Sequence, residues 1–358
     1  MTDRRTDDAR EEPVTSTLTR TAGRAEAPLP GARGALTEAL LAALRTPPGA
    51  GRTSRAGRSP WPGLAGADPY GEDVQLALQL CYELHYRGLR DVDPEWEWDP
   101  ELLRLRGELE RLLLDRVRSE VAGGTDVTAE LGALLVEPAG GAGLSRRLAE
   151  RGTWQQMREY FVHRSVYQMK EADPYLWAVP RLHGRPKAGL VAVEYDEYGA
   201  GHAERVHAQL FADLMAAAGL DSGYLHHLDD VPAPALAVVN LTSLFGLHRR
   251  WRGALVGHFT AVETTTASSA RRMTAALRRL DAPEECVHFY AEHIEADAVH
   301  EQVMRRDVVS ALLEQEPALA ADLVLGIQAI GLLEDRLSRH LETAWDAGTT
   351  SLRRPLPE

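Results

Sequence analysis

The residues best suited to redox chemistry lie in the string His293-Ile-Glu-Ala-Asp297-Ala-Val-His300. The two histidines and the aspartate occupy positions i, i+4 and i+7, so at about 3.6 residues per turn their side chains would share one face of a helix. Imidazole together with carboxylate is a ligand set suited to iron, and no cysteine accompanies them to suggest a zinc finger. The string therefore predicts part of an iron site, with a solvated polar face as the alternative.

The remaining ligands of such a site must come from other helices, because helical bundles build metal sites from carboxylates and histidines on facing helices. Glu171 directly precedes Ala172-Asp173-Pro174, and Glu197 and His207 are ten residues apart. Glu263 lies in an apolar and hydroxyl-rich stretch, where an ionised carboxylate is costly unless it is paired or bound to a metal. These four residues are candidate ligands, although Glu171 could also be only a charge at a helix end.

The order and spacing of these residues resemble the heme-oxygenase-like diiron oxidase and oxygenase family. The ligand register is most similar to that of the streptozotocin-type diiron N-oxygenase domain. The resemblance covers roughly residues 151–347 and implies an all-α, heme-oxygenase-like helical bundle with extra N-terminal helices. The implied metal ligands, in chain order, are Glu171, Glu197, His207, Glu263, His293, Asp297 and His300.

Three histidines and four carboxylates can hold two Fe(II) ions, leave positions open for dioxygen, and neutralise the charge of both ions. We expect Glu171, His207 and His300 to bind one iron. Glu197 would bridge the two irons. The other iron would be bound by Glu263, His293 and Asp297.

The resemblance implies an enzyme that activates O2 through a peroxo-diferric intermediate, with electrons from an external donor. The favoured reaction is N-oxygenation of a small amine or amino-heterocycle, to a hydroxylamine, nitroso or nitro group, in secondary-metabolite biosynthesis. One alternative is a diiron oxidase that desaturates an amino or fatty acid, or cleaves it by C–C scission or decarboxylation. A second alternative is a non-catalytic helical binding protein. A homodimer is implied by the family alone.

The spacing between Glu197 and His207 conflicts with a straight helix, on which ten residues rise about 15 Å. Gly199 and Gly201 lie between them, so we expect the helix to break there. We further expect this segment to be mobile and to become ordered when iron binds. Glu204 is a rival ligand, because Glu204-Arg-Val-His207 is an i, i+3 pair of the kind that diiron bundles also use.

Helical hydrophobic patterns cover the segments that must position these residues. They extend over about 35–45, 68–121, 144–170, 202–218, 235–280, 284–314 and 317–346. A loop is predicted from Arg181 to Lys187, because this stretch holds Pro and Gly. Three regions result: a low-complexity and largely disordered tail (1–66), an N-terminal helical region (67–150) and the diiron domain (151–347).

Composition argues against several other classes of protein. The chain has 358 residues and a formal net charge of -13, which does not favour nucleic-acid binding. We find no run of 18 apolar residues and no apolar leader, so neither a membrane partner nor secretion is expected. Cys81 and Cys286 are the only cysteines, so a reducing cytoplasm is the expected compartment.

Overall fold

The computed structural model describes residues 26–49, 61–136 and 143–357, and of residues 295–298 it describes only the backbone. Within these ranges the regular structure is helical, apart from one isolated bridge between Ala27 and Leu89. The prediction of an all-α, heme-oxygenase-like bundle is therefore confirmed. The α-helices in chain order are α1 (Ala35–Leu44), α2 (Glu72–Glu83), α3 (Pro100–Glu120), α4 (Val127–Leu134), α5 (Leu144–Arg151), α6 (Trp154–Gln168), α7 (Gly184–Glu197), α8 (His207–Ala217), α9 (Ala233–Leu247), α10 (Arg252–Arg279), α11 (Glu284–Val303), α12 (Ala311–Gln315) and α13 (Ala320–Asp346).

Helix α10 lies at the centre of the bundle, where it packs along both α11 and α13. Glycines bring α10 and α13 unusually close together. A Cβ atom on Gly257 would lie 2.1 Å from the carbonyl oxygen of Leu323, and one on Gly326 would lie 2.0 Å from that of Ala254. Residues with side chains would collide with the opposite backbone, so this crossing depends on glycine.

Helix α6 leads toward the candidate site and begins with a capping box. The Thr153 hydroxyl accepts a hydrogen bond from the backbone N–H of Gln156, whose side chain accepts one from the backbone N–H of Thr153. These two bonds satisfy backbone donors that a helix start leaves without partners. The cap therefore fixes where α6 begins, and with it the positions of the residues that follow.

The folded body begins earlier in the chain than the sequence suggested. The predicted helix at residues 35–45 is present as α1, and its leucines, including Leu40 and Leu44, are buried against the core. Asp73 of α2 accepts hydrogen bonds from the backbone N–H groups of Leu36 and Thr37, at 2.9 and 2.8 Å. Residues 26–49 thus belong to the bundle rather than to a disordered tail, whereas residues 1–25 and 50–60 lie outside the described ranges.

The predicted loop from Arg181 to Lys187 is wrong for most of its length. A 3-10 helix covers Tyr175–Arg181, and α7 already begins at Gly184. Pro186 falls in the first turn of α7, where a backbone N–H has no acceptor within the helix, so the N–H that proline lacks is not needed. The Pro and Gly therefore mark the start of a helix rather than an extended connection.

One helical stretch among the described residues, Pro317–Asp346, is long and apolar enough to cross a membrane. Half of its most apolar window is buried inside the bundle, and the core helices of soluble proteins pass the same test. Its buried residues, among them Leu323, Leu333 and Leu341, recur at helical spacing, and the helix packs against α10 and α9. We therefore interpret α13 as a core helix.

Candidate metal centre

Five elements bring the described candidate ligands to one place in the bundle. Glu171 lies in the turn after α6, Glu197 is the last residue of α7, and His207 is the first residue of α8. Glu263 comes from the middle of α10, and the two histidines of α11 complete the set. Their ligand atoms form two adjacent groups of three, and within each group all atoms lie within 4.8 Å of one another: Glu171, His207 and His293 in the first, and Glu197, Glu263 and His300 in the second.

The first group is centred on the carboxylate of Glu171. Its Oε2 atom lies 4.0 Å from Nδ1 of His207 and 3.7 Å from Nε2 of His293. The two imidazole rings are tilted by 46° to each other, with centroids 4.4 Å apart. The Glu171 Oε2 atom is buried without a hydrogen-bond partner, as expected for an atom that serves as a metal ligand.

The second group is centred on the imidazole of His300. Its Nδ1 atom lies 3.0 Å from Oε2 of Glu263 and 3.5 Å from Oε1 of Glu197. All three side chains are almost fully buried. Two acids and one imidazole converge here from α7, α10 and α11.

Glu197 joins the two groups. While one of its oxygens faces His300, the other, Oε2, lies 2.7 Å from Nδ1 of His207 in the first group. Burial acts to raise the pKa of Glu197, but the neighbouring His207, His293 and His300 outweigh burial and lower it. The carboxylate is thus held in its ionised form between the two groups, as a bridging ligand requires.

The ligands are divided between the two groups differently from the prediction, because His293 and His300 have changed places. His293, rather than His300, lies with Glu171 and His207, and His300 lies with Glu263. The physical reason is that seven residues separate the histidines along α11, a rise of about 10 Å. Each histidine therefore contacts the carboxylate that lies at the same height along α11. Helical periodicity shows which residues share a face, but not which residues of other helices lie beside them.

The chain between Glu197 and His207 is broken, as predicted. Gly199, Ala200 and Gly201 all have positive φ angles, of 70°, 52° and 87°. Two short 3-10 turns, Gly199–Gly201 and Ala203–Arg205, replace the straight helix. This reversal brings the end of α7 next to the start of α8. Mobility of the segment and its ordering by iron stay predictions.

Two predicted residues are not seen in either group, for different reasons. The side chain of Glu204 is 76 % exposed and lies 3.6 Å from His202, so the structure does not bring it to the centre. Asp297 belongs to α11, but its side chain lies outside the described residues.

Two further interactions orient the histidines, and neither could be predicted from the sequence. Nδ1 of His293 lies 2.7 Å from the carbonyl oxygen of Phe289, to which it can only donate, so Nε2 is left to face Glu171. Nε2 of His300 lies 3.2 Å from Oδ2 of Asp196, while Nδ1 faces Glu263. Metal-binding histidines typically donate their second ring N–H to a carbonyl or carboxylate in this way, which fixes ring orientation and tautomer.

The local electrostatics favour the binding of cations. Burial and the nearby Glu197 and Glu171 raise the pKa of Glu263 well above its ordinary value. Glu194, one turn before Glu197, is also buried, and neither of its oxygens has a hydrogen-bond partner. Its pKa is raised by burial and by Glu197, Glu263 and Asp173. Buried carboxylates that repel one another are stabilised by divalent cations, so the donor set fits two iron ions.

A cavity of about 420 Å³ adjoins the first group of ligands. Glu171 and His293 form part of its wall, together with aromatic side chains such as Tyr167, Phe289 and Tyr290. The volume is within the usual range for a small-molecule site. A ligand in this cavity would therefore be in contact with the candidate metal centre.

Comparison with known proteins identifies the class. Residues 158–335 match the family model described as iron-containing redox enzyme, and this range contains all the candidate ligands. The chain therefore belongs, through this domain, to the iron-containing redox enzymes with a heme-oxygenase-like fold. No curated protein matches the chain.

Proposed function

We propose that this iron-containing redox enzyme is a nonheme diiron oxygenase that oxidises a nitrogen atom of a small amine. The observation that carries the proposal is the position of Glu197, whose two oxygens face His207 and His300 in two adjacent groups of buried ligands. A single metal would not need six ligand side chains arranged as two groups of three. The two irons would supply the binding and reduction of dioxygen.

The protein's own residues would position the metals and the substrate. Phe289 and Asp196 hold the two imidazole rings of α11, so that one nitrogen of each points to a carboxylate. Tyr167, Phe289 and Tyr290 would present aromatic rings to a substrate held in the space next to Glu171. Glu194, whose raised pKa favours the protonated acid, can hold a proton near Glu197 and Glu263.

The reaction balances with an external reductant. Conversion of an amine to a hydroxylamine by O2 inserts one oxygen atom into an N–H bond and releases the other as water, which consumes two electrons and two protons. We propose that a separate donor protein or a soluble reductant supplies the electrons. A cytoplasmic location and a homodimer remain predictions.

Metal analysis followed by oxygen-dependent turnover tests the proposal. We expect the full-length protein to bind two Fe(II) per chain under nitrogen, and to develop a transient visible absorbance when O2 is added. Turnover with a panel of amines should then yield hydroxylamine, nitroso or nitro products. Alkene or decarboxylated products would instead support the oxidase alternative. A protein that binds no iron and consumes no oxygen would contradict the proposal and support a binding protein.

A further inference from the structure

The cavity beside the candidate metal centre has a polar end that the proposed chemistry does not use. It lies between helices α6, α10, α11 and α13. The side chains of Arg164 and Glu334 line it and are 21 % and 31 % exposed, so both are accessible from the cavity although they pair with each other. The other end of the same cavity is formed by Glu171 and His293.

The end of α6 and the turn that follows it connect these two ends. Arg164, Tyr167 and Glu171 follow one another at intervals of three and four residues, and all three line the cavity. The lining also contains apolar and aromatic side chains such as Phe289 and Ile330, together with polar ones such as Gln168 and Thr265. The cavity therefore suits a molecule with a polar group at each end and a largely apolar stem between them.

Arg164 and Glu334 have hydrogen-bonding capacity left over. The two terminal nitrogens of Arg164 donate to the two oxygens of Glu334 at 2.6 and 2.7 Å, and its Nε donates to the Tyr160 hydroxyl at 3.2 Å. A guanidinium group carries five N–H donors and a carboxylate about four acceptor sites. After these three hydrogen bonds, two N–H groups of Arg164 and two lone pairs of the Glu334 carboxylate remain for a ligand.

The charge of this end selects the head group of the ligand. Arg164 is already neutralised by Glu334, so a lone carboxylate would add negative charge beside an existing carboxylate, and a lone ammonium would add positive charge beside the guanidinium. Arg272 and Asp335, which also line the cavity, again contribute one charge of each sign. A zwitterion satisfies both partners at once, since its carboxylate can accept from Arg164 and its ammonium can donate to Glu334.

We propose that Arg164 and Glu334 form the binding site for the zwitterionic head group of an amino-acid-like substrate. The apolar stem of that substrate extends past Tyr167, near the end of α6, and presents its distal amine to Glu171 and His293. The identity of the reacting end rests on the proposed function, but recognition of the head group does not.

Two ligand series test the head group on the full-length, iron-loaded protein under nitrogen, with binding measured by calorimetry. The aromatic series compares L-para-aminophenylalanine with para-aminophenethylamine, which lacks the carboxylate, and with para-aminophenylpropanoate, which lacks the ammonium. The aliphatic series compares L-lysine with cadaverine and ε-aminocaproate in the same way. We expect the zwitterion of at least one series to bind tenfold or more tightly than both of its analogues. No preference for the zwitterion in either series overturns the proposal.

The double variant Arg164→Gln/Glu334→Gln assigns that preference to these two residues. It removes both charges together and leaves no unpaired ion. We expect it to bind two irons but to lose the preference for the zwitterion. Arg336→Gln is a matched control, because Arg336 also lies on α13 and pairs with Glu120, at 3.5 Å, without lining the cavity. If the double variant still prefers the zwitterion, the assignment to Arg164 and Glu334 is wrong. If the double variant does not fold, the ligand series on the wild-type protein is the test.

Iron content separates this inference from the proposed function. Two irons per chain without a preference for the zwitterion would overturn the head-group site and leave the diiron function standing. A preference for the zwitterion in a protein that binds no iron would support the head-group site and contradict the diiron function.

Discussion

At the scale of single residues, Glu197 and Glu204 compete for the same role next to His207. Glu197 lies between the two ligand groups, whereas the Glu204 side chain is 76 % exposed. We expect Glu197→Gln to lower the iron content of the anaerobically loaded and desalted protein from two ions per chain to one or fewer, because the amide keeps the shape of the carboxylate but not its charge. Glu204→Gln should bind iron like the wild type. Iron loss in the Glu204 variant alone would reverse this assignment.

Glu194 should make the stability of the metal-free protein depend on pH. Its pKa is raised in the folded chain by burial and by Glu197, Glu263 and Asp173. An acid with a higher pKa in the folded state holds its proton more tightly there, so the free energy of unfolding falls as pH rises from the ordinary value of 4.5 toward the raised pKa. We expect Glu194→Gln to flatten this decrease, by up to about 1.4 kcal/mol per pH unit. Urea unfolding of chelator-treated protein between weakly acidic and neutral pH measures both slopes, and identical slopes would contradict the role of Glu194.

The residue types of the site could be predicted from sequence, but their arrangement could not. The His-Asp-His spacing places its members on one helical face because helical periodicity is a local property. The pairing of His293 with Glu171, and of His300 with Glu263, depends on how far α11 is shifted along α10. Asp196 and Glu194 gave no signal, because an acid on α7 becomes part of the site only through the rotation of that helix. Such shifts and rotations are set by packing between distant segments.

At the scale of helices, the crossing of α10 and α13 supports the position of Glu263. Gly326 lies against the backbone of α10 at Ala254 and His258, and His258 is less than two turns before Glu263. We expect Gly326→Ala to force the helices apart and to destabilise the protein by about 1–3 kcal/mol or more, as overpacking does. Urea unfolding measures this loss. Iron affinity should fall as well, because α10 carries Glu263.

Gly331→Ala is the matched control on the same helix. Nothing lies within 4 Å of the position where its Cβ would be, so the substitution meets no neighbour. Because alanine favours helix formation over glycine by up to about 1 kcal/mol, this variant should be as stable as the wild type or more stable. Equal losses in the two variants would show that helix contact at Gly326 is not the cause.

The break between α7 and α8 shows where sequence reasoning succeeds at this scale. Two glycines and an impossible helical span predicted it, because backbone conformation at glycine is a local property. The same reasoning failed at residues 184–187, where Pro and Gly proved to be the first turn of α7. A proline has the same local preferences at a helix start and in a loop, and the buried residues that follow decide between them.

At the scale of the whole molecule, the N-terminal helices support the part of the chain that carries the candidate ligands. Residues 26–136 lie outside the region that matches the family model, yet α2 reaches the turn that carries Glu171. Glu83, near the end of α2, accepts a hydrogen bond of 2.6 Å from the ammonium of Lys170. Their side chains are 1 % and 0 % exposed, and Lys170 directly precedes Glu171. The pair therefore connects the extra helices to the candidate metal centre.

Removal of one partner from this ion pair should be far more damaging than removal of both. Glu83→Gln leaves the ammonium of Lys170 buried without its counter-ion, which typically costs about 3–5 kcal/mol. The double variant Glu83→Gln/Lys170→Met removes both charges and should recover much of that loss, because it leaves no unpaired ion. A double-mutant cycle by urea unfolding measures the coupling, and iron titration of the same variants tests whether Glu171 has moved. If the two losses are simply additive, α2 does not support the metal centre through this pair.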